Sequence, residues 1–294
     1  MFSILPGPLC GILSLIFYTI NTLFWSVLLF VVTFLKLVVP VGAWRRLCSR
    51  LLDGIATNWI GVNSVNQRLF SKTRWEVDGI DSLKRDGSYL VISNHQTWVD
   101  ILVLQRIFFR RIPFLKFFLK QELLYFPVLG QAWWALDFPF MKRYTKQFLE
   151  KNPHLRGKDF EITCRACEKF KTMPVSIMNF VEGTRFTAEK HRLQQSPYPN
   201  LLRARAGGIA YVLGVMGDQL DMILDVTVAY PGVQANFWSF LCGKIDTISV
   251  QVRRLPITED LIGDYMHDSE YRNRIQNWLN ILWNKKDQQM ARLR

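Results

Sequence analysis

Charge is missing from the start of this chain, where no Asp, Glu, Lys or Arg precedes Lys36. Residues 9–35 form an apolar run longer than the roughly 20 residues that a helix needs to cross a hydrocarbon core. A cleavable signal peptide would have a basic start and a shorter apolar region, whereas the basic residues here come afterward, as Arg45, Arg46 and Arg50. The run therefore predicts a retained membrane anchor.

A second membrane-associated helix is expected directly after the anchor. Residues 47–70 carry few charges and have apolar positions at mixed helical spacing. The sequence allows a single span followed by an interfacial helix, or a two-helix hairpin that enters one leaflet. We expect residues 1–72 to be the anchor with its interfacial helix and residues 73–294 to be the catalytic domain. The arginines after the run predict that this domain lies in the cytoplasm.

Cysteine and acidic residues are also scarce. The five cysteines are far apart except for Cys164 and Cys167, and no second Cys or His pair completes a metal site, so this pair is expected to pack in the core. Lys and Arg number 37 against 24 Asp and Glu, a net charge of +13. Such a charge suits an anionic membrane, a nucleic acid or a phosphate-bearing substrate. Because the basic residues are dispersed, a nucleic-acid partner is not expected.

Short apolar runs alternate with helical patterns through the rest of the chain. Strands are predicted at 75–80, 88–93, 176–181, 223–230 and 245–252. Helices are predicted at 97–111, around Cys164, at 206–216 and at 268–286, where Trp278 and Leu282 mark the apolar side of an amphipathic tail. This order predicts an α/β fold with a mixed, mainly parallel sheet flanked by helices.

The first candidate site is the segment NHQTWVD at residues 94–100, where a predicted strand ends and a helix begins. Active sites of α/β folds gather at such strand ends. His95 and Asp100 could face each other, so that the carboxylate accepts the Nδ1 proton and leaves Nε2 as a base. The same spacing also arises by chance, and Asp100 would then only stabilise the N-terminus of the helix.

The second candidate site is the segment EGTR at residues 182–185, which follows another predicted strand. Gly183 permits a close approach of the backbone to a ligand, Thr184 offers a hydroxyl group, and Arg185 supplies a planar fork for a phosphate. The alternative is a plain turn with a surface ion pair between Glu182 and Arg185.

Taken together, the two segments resemble the lysophospholipid acyltransferase family, specifically its 1-acyl-glycerol-3-phosphate acyltransferases. Residues 118–143 are similar to the second block of that family, and residues 226–232 (VTVAYPG) are similar to the fourth, so the resemblance covers about residues 75–255. In the second block, the usual residue types fall on Lys120, Glu122, Leu123, Pro127, Gly130 and Arg143. The resemblance implies a glycerolphosphate acyltransferase-like fold.

The resemblance also implies a reaction. The hydroxyl of a lysophospholipid attacks the thioester of acyl-CoA or acyl-carrier protein, without an acyl-enzyme, metal or cofactor. His95 takes the hydroxyl proton and Asp100 holds the imidazole. The acceptor is bound by Glu182, Gly183, Thr184 and Arg185, with Lys120 and Arg143 as further contacts to its phosphate. The oxyanion donor is left open between the loop at residues 94–97 and the loop around Gly183.

Departures from the family pattern leave the substrate open. The second block is unusually aromatic and carries Asp137 and FPFMK in place of a small residue and an Ile-Phe-Ile ending. Its aromatic residues could line an acyl-chain path or simply pack. The motif wording is similar to a bacterial inner-membrane paralogue branch and to eukaryotic lysocardiolipin-type enzymes.

The expected acceptor is 1-acyl-glycerol-3-phosphate, and lysophosphatidylglycerol or lysocardiolipin is the alternative. We expect the chain at the bacterial inner membrane, on anionic lipid, with its catalytic domain on the cytoplasmic side. A phospholipase or thioesterase would use a similar base on water, and a structural membrane protein would leave four ordered motifs to coincidence.

Overall fold

The structure is a computed structural model that describes residues 5–141, 158–171 and 173–293. The helices are α1 (Gly7–Val38), α2 (Gly42–Phe70), α3 (Val99–Ile107), α4 (Leu129–Ala135), α5 (Lys158–Phe170), α6 (Ala188–Gln194), α7 (Gly207–Met216), α8 (Phe237–Leu241) and α9 (Ser269–Leu293). The strands are β1 (Arg74–Asp78), β2 (Tyr89–Ser93), β3 (Leu115–Phe117), β4 (Leu119–Lys120), β5 (Phe140–Met141), β6 (Ser176–Phe180), β7 (Met222–Ala229) and β8 (Thr247–Leu255). Short 3₁₀ turns occupy Gln121–Tyr125, Gly217–Gln219 and Glu259–Leu261.

Six strands form one sheet in the order β1-β8-β7-β2-β6-β3. The strands β7, β2, β6 and β3 are mutually parallel, whereas β8 runs antiparallel to β7 and parallel to β1. Every residue of the central strand β2 is buried, as expected for a parallel strand covered on both faces. The predicted mixed, mainly parallel sheet is confirmed.

Helices cover both faces of this sheet and form two apolar layers. On one face, Leu52 of α2 and Val103 of α3 pack against sheet residues such as Val91. On the other face, Leu213 of α7 and Leu279 of α9 belong to the second layer. Cys167 lies fully buried in this second layer, as expected for core packing, whereas Cys164 is only partly buried.

The helices α1 and α2 form an antiparallel hairpin whose contact surface is partly polar. The Asn21 amide donates to Oδ1 of Asn63 over 2.8 Å, and Gln67 donates to the Tyr18 hydroxyl over 2.9 Å. These buried hydrogen bonds fix the register of the two helices, because an apolar surface alone would let them slide. Within the described residues, α1 is the one helix long and apolar enough to cross a membrane.

The hairpin is docked along the α/β domain. Near the start of α1, Gly11 lies against the side chains of Trp238 and Cys242, and near its end Lys36 pairs with Asp137 over 2.8 Å. Contacts at both ends mean that α1 lies along the domain. Its opposite face is apolar and exposed, and includes Ile20, Val27, Val31, Phe34 and Val38.

Candidate active site

The two candidate segments lie side by side because the strands before them are neighbours. The strands β2 and β6 are parallel, and Ser93 is paired in register with Phe180. The strand β7 is parallel to β2 on its other side. The chain therefore leaves all three strands at one edge of the sheet, where carboxyl ends of parallel strands meet. This is the shared edge that the sequence predicts.

The carboxylate of Asp100 holds the loop around His95 through several hydrogen bonds. Its Oδ2 lies 2.9 Å from Nδ1 of His95 and accepts the backbone N–H groups of Gln96 over 2.6 Å and Thr97 over 2.9 Å. Asp100 is completely buried, whereas the His95 side chain is 12% exposed. Asp100 also lies in the first turn of α3, where its charge favours the helix N-terminus, so the contact with His95 and the position in the helix that the sequence suggests are both present.

The imidazole of His95 is oriented by a ring as well as by the carboxylate. It stacks on Phe180, the last residue of β6, with 3.8 Å between the ring centroids. Since Nδ1 is engaged by Asp100, Nε2 is the ring nitrogen left for a substrate. A histidine held in this way can accept a proton through Nε2 while the carboxylate stabilises the imidazolium.

Glu182 is a buried residue of the second candidate segment, and it is hydrogen-bonded to the first segment at His95. It is 1% exposed, and its two oxygens accept the backbone N–H groups of His95 over 2.9 Å and Leu202 over 3.0 Å. Burial raises the pKa of Glu182 to about 8, against the effect of the two N–H groups and Lys286, which favour the charged form. The ion pairs of the described residues do not include one between Glu182 and Arg185, so the plain surface pair considered from the sequence is not formed.

Arg185 is presented to solvent at the mouth of the site. Its guanidinium carbon lies 4.8 Å from the ring centroid of Trp98, an exposed residue of the first segment. Gly183 adopts a φ of +69°, a left-handed conformation that glycine reaches without strain. This turn carries the chain from the buried Glu182 to the exposed Arg185.

Lys190 is a residue of this site that no sequence pattern singles out. Its ammonium group donates to Oγ1 of Thr184 over 2.8 Å and to the carbonyl of Arg185 over 3.1 Å. It therefore fixes the loop that carries Arg185 and brings a second positive charge beside it. These contacts form because the turn at Gly183 folds against α6, which no local sequence pattern indicates.

Asn94 and Tyr230 are further residues whose contacts were not predicted. The Asn94 side chain forms two 2.9 Å hydrogen bonds with the backbone of Val228, one through Nδ2 and one through Oδ1. The Tyr230 hydroxyl donates to Oδ1 of Asp100 over 2.6 Å. Both residues tie the end of β7 to the loop that carries His95.

The two weaker candidates for phosphate binding have different outcomes. Lys120 is an exposed residue at the end of β4, three positions after the last residue of β3, so it leaves the sheet at the same edge as His95. The contacts of the described residues do not connect it with Arg185. Arg143 lies outside the described residues.

Four amides of the two loops considered as oxyanion donors are already engaged. The N–H groups of Gln96 and Thr97 donate to Asp100, and that of His95 donates to Glu182. The N–H of Gly183 donates to the carbonyl of Phe180 over 2.8 Å. A substrate oxyanion would therefore have to meet another donor, and the amides of Thr184 and Arg185 in the loop around Gly183 remain candidates.

Comparisons with known proteins agree with this architecture. The family model described as Acyltransferase matches residues 74–213. The crystal structure of the 1-acyl-sn-glycerophosphate acyltransferase PlsC from Thermotoga maritima superimposes with a TM-score of 0.52 at 16% sequence identity, covering 95% of each chain. At that identity the superposition shows a common fold.

Two characterised relatives align with the chain. Lysocardiolipin acyltransferase 1 of Danio rerio is 24% identical over 299 residues, covering 96% of this chain and 71% of that protein. The 1-acyl-sn-glycerol-3-phosphate acyltransferase gamma of Mus musculus is 26% identical over 213 residues, covering 67% of this chain and 51% of that protein. The chain thus spans about half the length of the second relative. These similarities confirm the resemblance seen in the sequence motifs.

Proposed function

We propose that the chain acylates 1-acyl-glycerol-3-phosphate to give phosphatidic acid, since residues 74–213 match the family model described as Acyltransferase. The acyl donor is acyl-CoA or acyl-carrier protein, and the step uses no cofactor beyond that donor. The observation that carries the proposal is the contact between partly exposed His95 and buried Asp100 at the carboxyl ends of the parallel strands, with Nδ1 and Oδ2 2.9 Å apart.

The chemical step follows from the orientation of this pair. Nε2 of His95 removes the proton from the acceptor hydroxyl as its oxygen attacks the thioester carbonyl carbon. The carbon–sulfur bond then breaks, and the imidazolium returns the proton to the departing thiolate. Asp100 keeps the proton on Nδ1 and stabilises the imidazolium, and general-base catalysis of this kind contributes roughly 10² to 10⁴ in rate.

The phosphate of the acceptor is assigned to Arg185. The guanidinium lies exposed beside the first motif and is supported by Trp98, and a planar fork suits phosphate oxygens. Lys190 adds a second positive charge on the same loop, where it contacts the backbone carbonyl of Arg185, and Thr184 and Lys120 complete the set of candidate contacts. Glu182 has no oxygen turned outward, so its proposed function is to hold the backbone of His95 in place rather than to contact the acceptor.

The membrane location of the acceptor fits the exposed face of α1. A lysophospholipid and its diacyl product reside in the bilayer, so a hairpin with an apolar outer face would hold the site at the lipid surface. The formal charge of +13 would add attraction to anionic lipid. We propose attachment to a bacterial inner membrane with the α/β domain on the cytoplasmic side.

A second acceptor class is supported by one observation. The alignment with a lysocardiolipin acyltransferase covers nearly the whole chain, whereas that with the glycerol-3-phosphate type covers two thirds of it. The alternative function is therefore the acylation of lysophosphatidylglycerol or lysocardiolipin in phospholipid remodelling. Lysophosphatidylglycerol and lysocardiolipin both carry phosphodiesters. Their free hydroxyl would attack the thioester in the same way.

Mass spectrometry of the products tests the proposal. The purified full-length protein would be supplied with acyl-CoA or acyl-carrier protein and, separately, with each of these lysophospholipids. We expect phosphatidic acid to form fastest, and only when 1-acyl-glycerol-3-phosphate is present. Release of free fatty acid without any acceptor would instead identify a thioesterase, and a faster reaction with lysocardiolipin would select the alternative acceptor.

A further inference from the structure

The carboxylate of Asp100 uses its two oxygens differently. Oδ2 receives all three contacts from the His95 loop, namely the His95 ring nitrogen and the backbone N–H groups of Gln96 and Thr97. Oδ1 is contacted by the Tyr230 hydroxyl over 2.6 Å. That distance lies in the range of short hydrogen bonds from a hydroxyl to an ionised acceptor.

We infer that Tyr230 is a positioning residue of the acyl transfer reaction, whose hydroxyl orients Asp100 and through it the imidazole of His95. This inference rests on the proposed function, in which His95 is the general base. Tyr230 itself is 4% exposed and does not reach a substrate. It acts only through the carboxylate that it contacts.

The position of Tyr230 is set by the sheet. It directly follows Ala229, the last residue of β7, and β7 is paired in parallel register with β2, with Ser93 opposite Val226. Asn94 clamps Val228 with two hydrogen bonds. The end of β7 and the start of the His95 loop are therefore fixed to each other. This places the Tyr230 hydroxyl within hydrogen-bonding distance of Asp100.

The hydrogen bond from Tyr230 stabilises the orientation of the carboxylate through its second oxygen. The three contacts to Oδ2 hold one side of the group, and the contact to Oδ1 holds the other. A donor on Oδ1 therefore leaves no oxygen of this buried anion without a partner. Burial and the charge of Asp100 raise the pKa of Tyr230 well above its usual value, so the hydroxyl keeps its proton and stays a donor at every working pH.

A packing role alone would make different predictions, and the chain offers a matched control for it. Tyr271 is also fully buried, and its hydroxyl donates over 2.7 Å to the carbonyl of Leu261. That contact lies at the start of α9, away from the His95 loop. Tyr271→Phe removes a buried hydroxyl of the same kind without touching Asp100.

Other ionisable groups face the catalytic pair and stay unchanged in both variants. Glu182 lies behind the His95 backbone at the end of β6, and Asp100 is one of the charges that act on it. Lys286 of α9 acts on Glu182 in the opposite sense and is itself paired with Asp225. A change in pH dependence seen only in Tyr230→Phe therefore reports the lost bond to Asp100.

The experiment measures kcat, KM and the pH profile of kcat/KM for full-length wild type, Tyr230→Phe and Tyr271→Phe, with acyl-CoA and 1-acyl-glycerol-3-phosphate. Loss of a hydrogen bond to a charged group predicts that Tyr230→Phe lowers kcat about 10- to 100-fold. Both KM values should stay within about twofold, because Tyr230 touches neither substrate. Tyr271→Phe should keep the kcat of wild type within about twofold.

The pH profile separates positioning from stability. A carboxylate that has lost a donor holds the shared proton more tightly, so the low-pH limb of kcat/KM should move upward by about half a pH unit or more in Tyr230→Phe. Tyr271→Phe should keep the wild-type midpoint. Replacing Tyr230 by 3-fluorotyrosine introduces a stronger hydrogen-bond donor of nearly the same shape, so the midpoint of the low-pH limb of kcat/KM should move to lower pH. This variant also provides the test if Tyr230→Phe does not fold.

An unchanged kcat and midpoint in Tyr230→Phe would overturn the inference. So would a loss of kcat with an unmoved midpoint in both Tyr230 variants, because that pattern belongs to packing. The proposed function fails separately: if His95→Ala remains active, His95 is not the base, whereas an inactive His95→Ala with an unmoved Tyr230 profile rejects the inference alone.

Discussion

The backbone N–H of His95 donates a 2.9 Å hydrogen bond to Oε1 of Glu182, 87 positions further along the chain. The other Glu182 oxygen accepts the N–H of Leu202. One buried carboxyl group therefore connects the loop of His95 with the loops that follow β6. The proposed base and the proposed phosphate ligand are held in one frame by this residue.

Glu182→Gln should change how stability depends on pH. Because burial raises the pKa of Glu182 to about 8 from an ordinary 4.5, the folded protein binds more protons than the unfolded chain between these values. The stability of wild type should therefore fall as pH rises from about 4.5 to 8 and then level off. Glu182→Gln has no such group, so the stability difference between the two proteins should shift across this window. Thermal unfolding at pH 5, 6.5 and 8 measures it, and parallel curves would refute it.

Asp100→Asn should abolish most of the activity without changing substrate affinity. In this variant the side-chain NH₂ group of the new asparagine would replace one carboxylate oxygen. Either position is unfavourable, because Oδ2 accepts from the His95 loop and Oδ1 accepts from the Tyr230 hydroxyl. The imidazole would lose the partner that fixes its tautomer, so we expect kcat to fall by roughly 10² to 10⁴. Steady-state kinetics measures the loss. A variant with at least half of the wild-type kcat would show that Asp100 does not serve the base.

Arg185→Ala should raise the KM of the phosphate-bearing acceptor about 10- to 100-fold, as expected when a charged hydrogen bond is lost. The KM of the acyl donor should change little. Arg254→Ala is a suitable control, because Arg254 is also exposed but lies at the opposite edge of the sheet, near the end of β8. Equal effects of Arg185→Ala on the two substrates would reject its assignment to the acceptor phosphate.

Lys286→Met should destabilise the fold by about 1 to 3 kcal/mol, because it removes one of the two cationic partners of a buried carboxylate. Lys286 is fully buried in α9, and its ammonium lies 2.6 Å from Oδ1 of Asp225 in β7. Arg253 still pairs with Oδ2 of Asp225 in this variant. Adding Arg253→Met removes this second partner, so the double variant should be less stable than Lys286→Met alone. Denaturant unfolding measures both, and a double variant as stable as Lys286→Met would show that Arg253 does not offset the charge of Asp225.

Much of this architecture is legible in the sequence because it depends on local patterns. The apolar runs identify the strands of the sheet, and β2 is apolar on both faces because both are buried. Strand ends then identify His95 and Arg185 as neighbours. The amphipathic tail is confirmed as α9, with Leu282 buried and Trp278 packed on the second apolar layer.

Such local patterns do not predict contacts between segments that are far apart in the sequence. Tyr230 lies 130 positions from Asp100, and its contact depends on the pairing of β7 with β2, which no local periodicity specifies. Lys190 looks like an ordinary solvated lysine of a short helix until the turn at Gly183 folds beside it. The docking of α1 through Lys36 and Asp137 likewise joins residues 101 positions apart.

The most direct test of the account is the rate of acyl transfer by His95→Ala beside His267→Ala in the full-length protein. His267 forms a second His–Asp contact in this chain, 2.7 Å from Asp264, but on an exposed surface. We predict that His95→Ala remains folded and loses roughly 10² to 10⁴ in kcat, whereas His267→Ala keeps the wild-type rate. A His95→Ala protein that transfers acyl groups at the wild-type rate would contradict the account.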